Sequence, residues 1–356
     1  DNPGGFYAQT QWIADNAASL NIGFVTHLGD FVQNHDFENQ WAIARQAMDT
    51  LDANDIPWGG IPGNHDFLYG NGPADFSGTR YRRDFGPQRF VGKPWYRGHS
   101  PSELSNYQVI NFGTPQAPFE ILFLHLNLET PASELSWAQG VLNQNRHLPV
   151  MVSTHRYLQD AENYTGEVPV VPSGRYPEIW YTFEPLYNPT GIQSEAFFNS
   201  FVRVNSNIFA VLCGHFHAEF DQVSQNNRGL PVYELLSDYQ DDPNGGDSWL
   251  RIMTFRPEDD EIFVQSYSPA LNSYRTDSDS QFTLAVDFDA YASAPGSSSI
   301  TFRQGASGYS GTVDTYVNSD SGGFFETDGP YRDTAFGNSS LLVVDNDWDN
   351  SPFGDE

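Results

Sequence analysis

The chain has 356 residues and a formal net charge of −29, with a single lysine, Lys93, and a single cysteine, Cys213. So acidic a protein would be repelled by a nucleic-acid backbone or an anionic membrane surface, and neither is an expected partner. One cysteine excludes an intramolecular disulfide framework, no stretch has the apolar length that spans a bilayer, and an aromatic content of 15% with regular apolar runs opposes disorder.

In chain order, Asp1-Asn2-Pro3 predicts a helix start, after which Phe6, Trp12, Ile13, Ala17 and Leu20 fall near one face. A strand over 22–28 delivers Gly29-Asp30. Asp36 is a candidate cap for the next helix, where Trp41, Ala44, Met48 and Leu51 recur at the spacing of a buried stripe. The apolar run 56–61 leads into Gly63-Asn64-His65-Asp66. Strand, polar island, helix, strand, polar island is the alternation of an α/β fold with parallel strands. Residues 70–105 are rich in Gly, Pro, Arg and aromatics without periodicity, and read as an extended loop system near Asn64 and His65. Strands at 105–112 and 119–126, a helix at 133–142 and the run 150–152 before His155 follow. Residues 159–189 read as a second loop covering the site, and an amphipathic helix over 194–204 precedes the strand 208–213 and the turn Gly214-His215-Phe216-His217. The runs 230–236, 249–255, 261–266 and 282–288 predict consecutive strands of a second sheet, giving two stacked sheets flanked by helices.

Each polar island sits just past a predicted strand, where open α/β sheets place their ligands. Asp, Asn and several His brought together there are oxygen and nitrogen ligands for a borderline-hard metal, and two such ions suit displacement at phosphorus. Taken singly, Asp30 fits a turn and Asn64 a helix cap. His215 and His217, two apart, would share one face of an extended strand. His27, His35, His99, His125 and His147 read as structural, with His27 placed to support Asp30.

Gly29-Asp30, Gly63-Asn64-His65-Asp66, His155 and Gly214-His215-x-His217, in that order, resemble the calcineurin-like metallophosphoesterase superfamily, over about residues 6–288. The flanking text, such as Gln11-Trp12-Ile13-Ala14-Asp15 and Ser237-Asp238-Tyr239-Gln240, is similar to secreted bacterial members. The resemblance implies a four-layer α-β-β-α sandwich and a dinuclear centre of Mn, Fe or Zn, divalent or trivalent. It makes Asp30 the bridging ligand, with Asn64, His155 and His215 on the second ion and His217 on the first. It leaves His65 free for the substrate's leaving group, with Asp66 orienting it. Arg156, adjoining His155, is a candidate contact to the phosphoester. The superfamily's usual first strand, ending in Asp-x-His or a variant, has no counterpart here, so an upstream strand is expected to complete the first metal site.

Residues 1–289 are thus expected to form the metallophosphoesterase domain and the small-residue stretch 290–299 a linker. Residues 300–356 resemble the opening half of a disaggregatase-related β-sandwich module, which implies attachment to polysaccharide or cell-surface material, and the expected location is secreted or cell-surface/periplasmic in a bacterium. The expected activity is hydrolysis of a phosphoester. The rival reading is a non-catalytic extracellular metal- and polysaccharide-binding protein, against which a spare His65-Asp66 pair beside the metal ligands argues, since structural metal sites are closed by their ligands.

Overall fold

Pro3 opens the first helix, where its fixed φ is pre-set for the helix and its missing N–H is not needed. The computed structural model describes residues 3–160, 174–175 and 186–292, with the backbone of two short strands at 316–317 and 342–343. Helix α1 (Pro3–Asn16) packs along α2 (Glu38–Ala53), whose stripe of Trp41, Ala44, Met48 and Leu51 is essentially solvent-free. Phe37, not Asp36, precedes α2, and no side chain caps it. The Asp36 carboxylate instead accepts from the Asn71 and Gly72 N–H groups, each at 2.8 Å, and so ties down the loop after Tyr69.

Strands β1 (Val25–His27) and β2 (Trp58–Gly60) pair in parallel. The stretch expected to be loop over 70–105 contains a helix, α3 (Thr79–Phe85), a 3-10 turn (Pro87–Phe90) and a strand, β3 (Tyr96–His99). These short elements lack periodicity because they are held by tertiary packing, with Tyr81, Phe85 and Phe90 buried against Trp41 and Trp58. Buried Asp84 adds ion pairs to Arg45, at 2.8 Å, and Arg83, at 2.5 Å.

The large sheet also contains β4 (Asn106–Asn111), β5 (Glu120–His125), β6 (Val150–Arg156), β9 (Ile208–Gly214), β10 (Glu219–Gln225) and β11 (Pro231–Ser237). Its order is β10-β11-β9-β6-β5-β4-β3, parallel in the middle and antiparallel at both edges. Between β6 and β9 in the chain, β7 (Leu158–Gln159) and β8 (Gly174–Arg175) form a small antiparallel pair. β11 was expected in the second sheet. It runs beside β9 because Val232, Tyr233, Leu235 and Leu236 are buried on both faces, the pattern of an interior strand.

Alternation along the central strands sorts their side chains between two cores. Leu122, Leu124, Val150 and Val152 face helix α4 (Ala132–Gln144) and α5 (Ser194–Phe197), which continues as a π turn to Val202. Ile121, Phe123, Met151 and Phe209 face the second sheet, formed by β12 (Leu250–Arg256), β13 (Glu261–Ser268), β14 (Ser273–Tyr274) and β15 (Gln281–Ala285). With α1 and α2 packed around β1 and β2, this is the expected α/β sandwich of helix, sheet, sheet and helix. After the short helix α6 (Pro243–Gly246) and β12–β15, the helix α7 (Phe288–Tyr291) seals the second core. Ala290 and Tyr291, expected in the linker, belong to α7, and the buried Tyr291 donates its hydroxyl hydrogen to the Pro231 carbonyl at 2.5 Å.

The chain divides into two units, Asp1–Pro295 and Gly296–Glu356. In the second, Tyr316–Val317 and Leu342–Val343 pair antiparallel. The rest of the expected β-sandwich module, and most of the expected covering loop 159–189, lie outside the described residues.

Candidate metal centre

Asp30 follows β1, Asn64 to Asp66 follow β2, His155 is next to last in β6 and His215 follows β9, so the ends of parallel strands deliver the site. Two glycines permit the loops to close on one another. A Cβ on Gly63 would collide with the Asp30 carboxylate, and one on Gly29, at φ 102°, would lie 2.6 Å from His155 Nδ1. Asp30 and His215 hold left-handed backbone, at φ 55° and 75°, a costly conformation for non-glycine residues that clusters at functional sites.

Asp30, His155 and His215 bring a carboxylate oxygen and two imidazole nitrogens within 4.8 Å of one another, and the Asn64 amide joins them. His155 Nδ1 lies 2.7 Å from the Leu28 carbonyl, which can only accept, so Nδ1 carries the hydrogen. In the neutral ring Nε2 then presents a lone pair, at 2.8 Å from Asn64 Oδ1, 3.3 Å from Asp30 Oδ2 and 3.3 Å from His215 Nδ1. Asn64 Oδ1 is also 2.9 Å from His215 Nδ1. Electron-rich atoms converging on one point repel one another unless a proton or a cation sits among them. The donor set, one carboxylate, one amide oxygen and two imidazoles, fits a transition-metal cation, and the Leu28 carbonyl supplies the outer contact that fixes a ligand histidine's tautomer.

The protonation energetics agree. Burial alone would lower His155, but Asp30 beside it more than reverses this and pushes it up to about 9. Burial likewise opposes ionisation of Asp30, and His155 outweighs it, holding the carboxyl at about 2. Burial first, then the charges of His155 and Arg156, depress His215 well below the ordinary imidazole range, which keeps it in the lone-pair form a ligand needs.

His65 stands beside this group and outside it. Its backbone N–H donates to Asp30 Oδ1 at 2.9 Å, while its ring Nδ1 donates to the Gln33 carbonyl at 2.8 Å. Tyr69 stacks on the ring with centroids 4.0 Å apart. Asp66, expected to orient His65, does not touch that ring. Both its oxygens accept backbone N–H groups, from Gly63 at 2.8 Å, Phe31 at 3.2 Å and Val32 at 3.1 Å, so it clamps the Asp30 loop to the Asn64 loop. Burial, then the Asp30 charge, push Asp66 up to about 8 against the pull of those three donors.

Arg156 and His217 have other partners in this structure. Arg156 is buried and paired with Glu129 at 2.8 Å, so it offers no exposed guanidinium to a phosphate. His217 does not join the Asp30 group: it is 39% exposed and its Nδ1 pairs with Asp241 at 2.8 Å. His27 does support the site, because its Nδ1 accepts the Gly29 N–H at 3.2 Å and its ring stacks on Phe31. Burial lowers its pKa to about 4, so the ring is the neutral acceptor this contact requires. Gln33, Tyr69, Glu129 and Tyr187 were not legible in the sequence. Gln33 acts through its carbonyl, which no side-chain pattern reveals, and the others meet the site only through tertiary packing.

Residues 2–219, more than half of the chain, match the family model of the calcineurin-like phosphoesterases. The chain belongs to that family. It is 29% identical over 294 residues to the uncharacterized protein YvnB of Bacillus subtilis (strain 168), a match covering 79% of this chain and 20% of YvnB. The chain thus spans about a fifth of the length of that curated relative. Among solved structures it is similar to a dimetal phosphatase from Danio rerio, with TM-score 0.42, 12% identity and coverage of 78% and 88% of the two chains. It is also similar to the protein TT1561 of Thermus thermophilus, with TM-score 0.37, 11% identity and coverage of 78% and 95%. The calcineurin-like phosphoesterases are metal-dependent, and the Asp30, Asn64, His155 and His215 group is a donor set of that kind.

Proposed function

We propose that the chain hydrolyses phosphoester bonds at a dinuclear metal centre, with His65 assisting departure of the leaving oxygen. The observation that carries this is the convergence of Asp30, Asn64, His155 and His215 around one point, with His65 poised outside that group. Bound metal ions would supply Lewis-acid polarisation of the phosphoryl oxygens and a more acidic water.

The chain's own residues do the rest. Asp30, Asn64, His155 and His215 would hold one ion, and Asp30 with His217 would contribute to a second once His217 turns from Asp241. Because Gln33 holds His65 Nδ1–H, the ring can donate a proton to the leaving oxygen only from Nε2 and only as the imidazolium. His65 would pass that proton to the ester oxygen as its bond to phosphorus breaks. Tyr69 fixes the plane of the ring and so the direction of donation.

The test is a panel of generic phosphomonoesters and phosphodiesters, assayed after chelation and again with Mn, Zn or Fe restored. Activity that disappears with chelation and returns with metal supports the reading; a folded, metal-loaded protein inert across the panel overturns it. A secreted location and attachment to polysaccharide through residues 300–356 are part of the same proposal and rest on the sequence resemblance.

A further inference from the structure

Arg156 and Glu129 form an ion pair whose side chains are only 1% and 2% exposed. Removing two charges from water carries a desolvation cost that apolar residues of similar volume would avoid, so the pair's placement needs a reason beyond stability. That placement borders both imidazoles of the metal group. Arg156 directly follows His155, and its guanidinium lies 4.7 Å from the centre of the Tyr187 ring. Tyr187 in turn presents its ring to His215 in an edge-on contact, with centroids 5.4 Å apart and planes at 69°.

Glu129 holds the segment that carries Tyr187. Its Oε2 accepts the Asn188 N–H at 2.8 Å, and its carbonyl accepts the Ile192 N–H at 3.0 Å. Asn188 Nδ2 donates to the Leu128 carbonyl at 3.0 Å, and Asn188 is itself buried. Glu129 adopts left-handed backbone, at φ 46°, and a Cβ on Gly191 would strike its carbonyl, so two chain segments meet here too closely for general packing. An arginine beside a cation site would also repel the cation, and Glu129 cancels that charge locally.

We infer that Glu129, Arg156 and Tyr187 form a positioning unit that seats Tyr187 against His215 and thereby fixes that imidazole for metal binding. Arg156 then serves the site through Tyr187 and not as a phosphate clamp. The inference rests on the metal-site reading above and goes beyond it in assigning residues that touch neither metal nor substrate.

The experiment measures Mn(II) affinity by calorimetry, and the visible absorption of the Co(II)-loaded full chain, for Tyr187→Ala, Tyr187→Phe and Glu129→Gln. Tyr187 is half-buried, so its truncation leaves folding intact, which circular dichroism of the chelated protein checks. Loss of a supporting contact of this kind weakens metal binding by about 10–100-fold. Tyr187→Ala should fall in that range with a changed Co(II) spectrum, Tyr187→Phe should stay within about twofold of the parent, and Glu129→Gln should weaken metal binding at least as much as Tyr187→Ala. Unchanged Mn(II) affinity and Co(II) spectrum in folded Tyr187→Ala would overturn the inference. A merely structural pair would lower the melting temperature of chelated Glu129→Gln without moving either metal readout, which would overturn it as well. His215→Ala is the control: if it too leaves Mn(II) affinity unchanged, the metal-site reading itself has failed.

Discussion

At the scale of single residues, His65 and His215 separate chemistry from metal binding. On the proposed mechanism His65→Ala removes a proton donor that lies outside the Asp30, His155 and His215 cluster, so turnover should fall by about 10²–10⁴-fold with metal content unchanged. His215→Ala should empty the site it shares with Asp30, Asn64 and His155 and abolish activity with it. Metal analysis and rate measured on the same samples decide this, and metal loss in the His65 variant would make His65 a ligand. His155 sets the pH dependence. Its folded pKa is raised from 6.5 to about 9, so in chelated protein its contribution to stability is complete below about pH 6.5 and disappears as pH rises through 9. A metal ion must displace that proton. Apparent affinity should therefore rise with pH up to about 9, by at most about tenfold per unit, with proton release on binding. Calorimetry in buffers of different ionisation enthalpy measures the release, and binding without it between pH 6.5 and 8 would mean the ion sits elsewhere. The residues that cluster here, Asp30, Asn64, His155 and His215, stood out because each polar island follows an apolar run. Their neighbours were not, since Asp66 spends its carboxylate on backbone and Arg156 turns inward to Glu129, outcomes fixed by chain segments far away in sequence.

At the scale of elements, the strands that lead into the Asp30, His155 and His215 cluster were legible and their supports were not. A strand announces itself through its own alternating or continuous apolar residues, as β5, β6 and β9 do. The helix α3 and strand β3 carry no such signal, because Tyr81, Phe85 and the Arg83–Asp84 pair take their meaning from α2 and β2. The same blindness placed β11 in the wrong sheet: its sequence states that both faces are apolar, not which neighbour covers them. The loop after β2 yields a sharp test. Gly63 has ordinary backbone, yet any Cβ there strikes the Asp30 carboxylate and crowds the Asp30 backbone nitrogen. Gly63→Ala should therefore force the Asp30 and Asn64 loops apart, costing about 1–3 kcal/mol of stability and weakening metal binding more than proportionately. Chemical denaturation with and without Mn(II) reads both effects. A variant with parental metal affinity would show that the two loops need no such close approach.

At the scale of the whole molecule, the two units Asp1–Pro295 and Gly296–Glu356 invite a test of independence. The first unit contains every described ligand residue and three cores that close within it, the second core sealed by Phe288 and Tyr291 of α7. The boundary must therefore fall beyond Tyr291, whose buried ring and bond to the Pro231 carbonyl make the start of the stretch 290–299 part of the fold and not a linker. Ser297 to Ser299, small and polar, is the place to cut. An engineered protease site there should release residues 1–296 as a folded fragment with the Mn(II) affinity and melting temperature of the uncut chain. Moving the site to Ala290 should destabilise the fragment, because α7 would lose its buried tyrosine, at a cost of several kcal/mol for an aromatic side chain of this burial. If the cut at 297–299 lowers metal affinity, or if both sites behave alike, the phosphoesterase unit does not end where its core closes. Melting curves of the two digests, followed by the tryptophans buried in α2 and β2, distinguish these outcomes.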